Sequence, residues 1–154
     1  MNRVIDDRFE AVVWGGFLGG AAEVVVVTLA ALFAGIGGWA VATGVSDAVY
    51  PAAFQGEAAI WVGMTIHFVL SFLIAACFVP FAARIHERFG ASAVVAASAA
   101  ALCCVWAMNF FVILPRVAPE FVTLVPYPVS FLSKLSFGVV MGLTLVYGKR
   151  RTEA

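Results

Sequence analysis

Charged residues are scarce in this chain of 154 residues, since lysine, arginine, aspartate and glutamate together make up only 12% of it. Nine basic residues balance nine acidic ones, and the longest basic run is Lys149, Arg150 and Arg151. Nucleic-acid binding needs a dense basic surface, so nucleic acid is excluded as a partner. Hydrophobic residues reach 64%, far above the roughly 45–50% of a soluble domain.

Cysteine is rare, and the familiar catalytic motifs are missing. The three cysteines, Cys77, Cys103 and Cys104, all lie in apolar runs, and neighbouring residues point in different directions on a helix. The CxxC spacing of a metal or redox site is absent, as are HExxH and a glycine-rich phosphate loop. We therefore predict no disulfide framework, no metal site and no enzymatic activity.

Four long apolar runs dominate what is present. A run of roughly 18 or more apolar residues is long enough to cross a bilayer as a helix. We predict an all-α, polytopic membrane protein whose four transmembrane helices form an antiparallel bundle. The chain forms one integral membrane domain over residues 1–154, with spans at approximately 11–34, 58–83, 91–114 and 129–147.

The first and second runs are predicted to end differently. Glycines at positions 35, 37 and 38 weaken the first helix before a further apolar stretch at 39–45, so this helix is predicted to bend or extend outward. After the second run, the charged segment from Arg84 to Gly90 predicts a tight turn into the third.

The distribution of basic residues predicts the orientation in the membrane. Cytoplasmic connectors carry an excess of lysine and arginine, and only Arg116 falls on the other side. Both termini are therefore expected in the cytoplasm. The residues on the cytoplasmic side would be Arg3, Arg8, Arg84, Arg88, Lys149, Arg150 and Arg151.

Each apolar run contains one strongly polar residue: Glu23, His67, Asn109 and Lys134 in chain order. Counting about 1.5 Å per residue from the cytoplasmic ends places Glu23 and Lys134 near mid-bilayer, and His67 and Asn109 farther out. An intramembrane ion pair between Glu23 and Lys134 is the preferred interpretation, because it removes two unpaired charges from hydrocarbon. The alternative is that Lys134 extends to the outer interface while Glu23 stays protonated. A His67–Asn109 hydrogen bond that packs two helices is expected.

Small residues flank three of these polar groups at intervals of four. Residues four apart share a helix face, and small residues on that face let membrane helices approach closely. We predict five helix-packing glycines: Gly15 and Gly19 before Glu23, Gly63 before His67, and Gly138 and Gly142 after Lys134. Gly16 and Gly20 form a second row on the first helix.

No cofactor is predicted. The two histidines, His67 and His86, lie 19 residues apart on one helix, which corresponds to about 28 Å. One haem could not use both as axial ligands. Ligation by His67 alone, with a second ligand from another subunit, stays open as an alternative.

The second span carries a resemblance to a known family. Through Trp61, Val62, Gly63, Met64 and Thr65, with His67 and Ser71 nearby, it resembles the YagU-like group of uncharacterised four-helix bacterial inner-membrane proteins. The glycine-rich first helix, the short basic turn and the proline-containing last connector are similar to that group, whereas its third-span histidine is missing here. The resemblance implies a multi-pass protein of the bacterial inner (plasma) membrane and no particular activity.

Two functions are compatible with these features. The first is a structural or accessory subunit of a larger membrane complex, such as a respiratory or photosynthetic energy-converting assembly, with other membrane subunits and lipids as partners. The small size, short connectors and glycine faces favour it. The alternative is a small transporter, channel or proton pathway that uses Glu23, His67 and Lys134 as titrating groups.

Overall fold

The computed structural model describes residues 2–148, with side chains described from residue 8, and none of these residues forms a strand. The basic tail at 149–151, which contributed to the predicted orientation, lies outside the described residues. The elements are α1 (Asn2–Phe33), α2 (Ala40–Val49), α3 (Gly56–Phe89), α4 (Ala91–Met108), a π-helical segment (Asn109–Ile113), α5 (Leu114–Val117), α6 (Pro119–Leu124) and α7 (Tyr127–Tyr147).

Four helical stretches of the described chain are long and apolar enough to cross a membrane. They are Arg8–Phe33, Gly56–Phe89, Ala91–Val117 and Tyr127–Tyr147, with mean hydropathies between 1.8 and 2.2. The third of them runs through α4, the π-helical segment and α5. The predicted all-helical class and the four apolar helices are confirmed.

The last long helix is the centre of the packing. Helix α7 contacts both α1 and α4, while α3 contacts α1, α2 and α4. Where α3, α4 and α7 meet, four side chains are fully buried: Ala75, Leu102, Phe137 and Met141. This core ties the second, third and fourth predicted spans together.

The apolar stretch after the first span forms a separate helix, so the expected bend or extension of one overlong helix is corrected. Helix α1 ends at Phe33, and the chain turns through Gly35, whose φ of +72° favours glycine. Helix α2 has 10 residues, too few to cross a bilayer. It packs against α3 and α6, and Ser46 is its one buried residue.

The predicted charged turn between the second and third spans is also corrected. Helix α3 continues to Phe89, so Arg84 and Arg88 lie on its last turns. The reversal takes place at Gly90, whose φ of +83° is the left-handed backbone that ends helices. At 34 residues, α3 is much longer than the roughly 20 that a span requires, so counting from the charged end does not give membrane depth.

Candidate functional site

The predicted contact between Glu23 of α1 and Lys134 of α7 is present. The Lys134 Nζ atom lies 2.5 Å from Glu23 Oε1 and 2.7 Å from Oε2. The Lys134 side chain is only 15% exposed and the Glu23 side chain only 10%. The ammonium thus contacts both carboxylate oxygens within the helix interface, rather than extending away from it.

Two glycine rows on α1 explain how this helix reaches two neighbours at once. A Cβ on Gly19 would lie 2.8 Å from the Phe137 ring of α7, and one on Gly16 would lie 2.7 Å from the Phe72 ring of α3. The row that ends at Glu23 therefore faces α7. The second row faces α3. Close approach of α1 and α7 is what brings the carboxylate within reach of the amine.

The other predicted packing glycines also lie at close helix contacts. A Cβ on Gly138 would be 2.6 Å from the backbone Cα of Ala99, and one on Gly142 would be 2.8 Å from Val95 Cα, both in α4. A Cβ on Gly63 would overlap the carbonyl group of Ala42 in α2. Gly15 is less tightly packed, since its Cβ would sit at an ordinary 3.4 Å from side chains of α7.

The predicted hydrogen bond between His67 and Asn109 is wrong. The His67 Nε2 atom lies 3.1 Å from the backbone oxygen of Gly20, so this nitrogen donates to α1. Gly20 is three residues before Glu23 and thus places His67 beside the ion pair. The predicted division into two layers therefore fails for His67, because α1 begins at Asn2 and α3 ends at Phe89, beyond the assumed boundaries at 11 and 83, so depths counted from those boundaries cannot be compared between the two helices.

A cavity of about 310 Å³ unites all four polar residues. Its wall is formed by α1, α2, α3, α5, α6, α7 and the π-helical segment, with Glu23, Lys134, His67 and Asn109 among the lining residues. Most of the remaining wall is aliphatic or aromatic. Such a volume and lining lie within the range of small-molecule sites.

Asn109 reaches this cavity from an unusual piece of backbone. It is the first residue of the π-helical segment that follows α4, and π-helical turns recur at functional sites. Its side chain makes no hydrogen bond with any residue that the structure describes. The amide is therefore available to a molecule in the cavity.

The two serines of the cavity wall already have partners. Ser130 Oγ accepts from the indole Nε1 of Trp106 at 2.9 Å and donates to the backbone oxygen of Tyr127. Ser133 Oγ donates to the backbone oxygen of Ser130. Neither hydroxyl hydrogen-bonds to a histidine, a carboxylate or an amine among the described residues.

No cluster of three histidine, cysteine, aspartate or glutamate side chains that could hold a metal occurs between residues 8 and 148. The only histidine in the cavity wall uses Nε2 for its contact with Gly20. A haem ligand would have to be Nδ1 or require that contact to break. The geometry therefore gives no support to the alternative of haem ligation.

Several wall residues were missed from the sequence. Trp39, Ala42 and Val45 enter the cavity from α2 and the turn before it, and Phe121 enters from α6. The apolar stretch at 39–45 is the sequence signal for these positions, but it fits an extension of the first span equally well. Helix α2 also packs closely on α6, because a Cβ on Gly44 would lie 2.6 Å from Leu124 Cδ2.

No protein-family model, curated protein or solved structure matches this chain. The resemblance to the YagU-like group therefore stays a prediction based on the second span.

Proposed function

We propose that this chain is an integral membrane protein that binds a small lipid-soluble molecule in the cavity beside the Glu23–Lys134 pair. The proposal belongs to the transporter class among the functions inferred from the sequence. The observation that carries it is the cavity itself: about 310 Å³ of space lined mainly by apolar side chains, where Glu23, His67, Asn109 and Lys134 meet from four helical segments. A bundle held together only by packing would have no need of this space.

The polar groups support binding rather than catalysis or ion conduction. Glu23 and Lys134 neutralise each other, and the serine hydroxyls in the wall are engaged. A mostly apolar wall favours an organic molecule over a chain of water. We therefore propose that the protein binds or carries a molecule and does not transform it.

The proposed setting is a bacterial inner (plasma) membrane, with an antiparallel four-helix bundle and both termini in the cytoplasm. The arginines on the last turns of α3 and at the start of α1 support this orientation, since basic residues favour the cytoplasmic side. Under it, α2 and α6 lie at the periplasmic end of the cavity.

The accessory-subunit hypothesis remains a second proposal. An apolar outer surface is required equally by lipid and by a neighbouring subunit, so the exposed faces of the helices do not favour it. Purification from native membranes under mild detergent would support it if other membrane proteins were recovered in fixed stoichiometry. A lone chain or homo-oligomer would contradict it.

Native mass spectrometry of the chain extracted from its own membrane tests the binding proposal. We expect a bound small molecule on the wild-type chain. The variant Met64→Trp should lose it, because Met64 lines the cavity and a larger side chain would fill space. A wild-type chain without any adduct, after extraction in several mild detergents, would contradict the proposal.

Met108→Trp provides the matched control. Met108 is 54% exposed near the end of α4 and does not line the cavity. Met108→Trp makes the same substitution of methionine by tryptophan but leaves the cavity unfilled. Equal loss of the adduct in both variants would indicate a general effect of tryptophan rather than occupation of the cavity.

A further inference from the structure

We infer that the ligand is electrically neutral and carries a hydrogen-bond acceptor, such as a carbonyl group, which the side-chain amide of Asn109 recognises. The inference rests on the proposed function and specifies its chemical class of ligand. It follows from the charge balance of the cavity, from its unpaired hydrogen-bond donors and from the apolar residues that line the rest of it.

The cavity has no net charge to offer. The Glu23 carboxylate contacts the Lys134 ammonium through both oxygens. The His67 ring, whose Nε2 donates to a backbone oxygen, satisfies that acceptor in its neutral form. An anionic or cationic ligand would have to separate the ion pair or remain an unpaired charge in an apolar site, and either change is costly. A neutral ligand requires neither.

Donors outnumber the partners that the protein provides. The Asn109 amide has two N–H groups and one oxygen with no partner among the described residues. The Lys134 ammonium has three N–H groups, and its described contacts are the two oxygens of Glu23. A ligand oxygen that accepts from Asn109 would pair one of these N–H groups, whereas a hydrocarbon would pair none of them.

The rest of the ligand must be apolar. Away from the polar residues, the cavity extends between α2 and α6, past Val45, Val49, Val117 and Phe121. A volume of about 310 Å³ equals that of roughly ten water molecules in the liquid. The volume and the apolar lining thus predict a short aliphatic or aromatic body attached to an accepting head group.

Ligands of equal chain length and different head groups test this inference. The melting temperature of the purified chain in detergent is measured with 2-decanone, decane, decanoate and decylamine. We expect a saturable rise of several degrees with the ketone, because binding to the folded state stabilises it. Decane should bind ~3- to 10-fold more weakly, the effect of about one hydrogen bond. The charged compounds should bind more weakly than the ketone.

Asn109→Leu replaces the amide with an apolar group that branches at the same atom. It should reduce ketone affinity to that of decane while leaving the affinity for decane unchanged. Val112→Leu is the control, since Val112 belongs to the same π-helical segment but is 44% exposed and does not line the cavity. It should retain the preference for the ketone.

The outcomes separate this inference from the proposed function. Equal binding of ketone and decane by the wild-type chain would overturn the inference, while binding in the cavity would stand. Tighter binding of decanoate or decylamine would also overturn it, and would indicate that the ligand separates Glu23 from Lys134. If none of the four compounds binds saturably, the inference fails. The proposed function is contradicted by a different result, the absence of an endogenous adduct in native mass spectrometry.

Discussion

Glu23 and Lys134 form a mutually neutralising pair inside a helix interface. Each charge alone would be costly in an apolar environment, and breaking such a pair by removing one partner is far more damaging than replacing both. The sequence was sufficient to predict this contact, because both residues continue glycine rows at intervals of four and lie at comparable depth. It was insufficient for His67, whose partner is a backbone oxygen that has no signature in the sequence.

A double-mutant cycle tests the pairing. Glu23→Gln and Lys134→Met should each destabilise the chain by about 3–5 kcal/mol, because each leaves a charge unpaired. The double variant should be less destabilised than either single one. The measurement is the free energy of unfolding in detergent, with Glu57→Gln, at an exposed position at the start of α3, as the control for loss of a carboxylate. Additive losses would show that the two residues do not interact.

Ser46 and Ser98 provide a contrast between an unpaired and a paired hydroxyl. Ser46 Oγ is buried without a hydrogen-bond partner among the described residues, whereas Ser98 Oγ donates to the Gly138 backbone oxygen at 2.7 Å. Ser98→Ala should cost about 1 kcal/mol, while Ser46→Ala should be neutral or stabilising. Thermal unfolding of both variants in the same detergent checks this. A larger loss for Ser46→Ala would show that its hydroxyl has a partner in the folded chain.

At the scale of elements, glycine positions determine which helices touch. Four-residue spacing in α1 was a sufficient signal for its contacts with other helices, and the structure assigns one row to α7 and the other to α3. The sequence did not show that residues 40–49 form a separate helix. An apolar helix that follows a glycine-rich turn has the same composition as a continuation of the first span. The contact of α2 with α3 shows that the separate helix forms.

Gly63→Ala should detach α2 from α3. Its Cβ would overlap the backbone of Ala42, and overpacking against backbone typically costs about 1–3 kcal/mol. Because α2 forms part of the cavity wall, we also expect weaker ketone binding. Hydrogen exchange of the α2 amides measures the first effect and a ligand titration measures the second.

Gly37→Ala is the matched control for that substitution. A Cβ at Gly37 meets no described atom within 4 Å, so α2 exchange should be unchanged. Faster exchange in both variants would show that the flexibility of the glycine-rich turn, rather than the contact with α3, controls the position of α2.

At the scale of the whole molecule, length and composition were enough to predict four apolar helices, and the structure agrees. They were not enough to predict the cavity. A cavity depends on where helices fail to meet, and its wall combines short elements, α2 and α6, with a π-helical segment at Asn109. The π-helical segment, with five residues, and α6, with six, are too short to show a hydrophobic periodicity that distinguishes them from a span or a connector.

The orientation of the whole molecule gives a further prediction. In a variant with Cys77, Cys103 and Cys104 replaced by alanine, single cysteines are placed at exposed Gln55 or Arg88, at opposite ends of α3. In intact cells, a membrane-impermeant maleimide should label Gln55→Cys and spare Arg88→Cys until the membrane is opened. The reverse pattern would place the termini outside.

The site of attachment of a photoreactive ligand tests the central claim most directly. A diazirine-bearing alkyl ketone is activated on the membrane-embedded chain, and labelled peptides are mapped by mass spectrometry. Binding in the cavity predicts labels on wall residues such as Ala42, Met64 and Phe110, with loss of labelling in the presence of excess 2-decanone. Labelling restricted to outward-facing residues such as Leu73, which is 56% exposed, and unaffected by 2-decanone would contradict it.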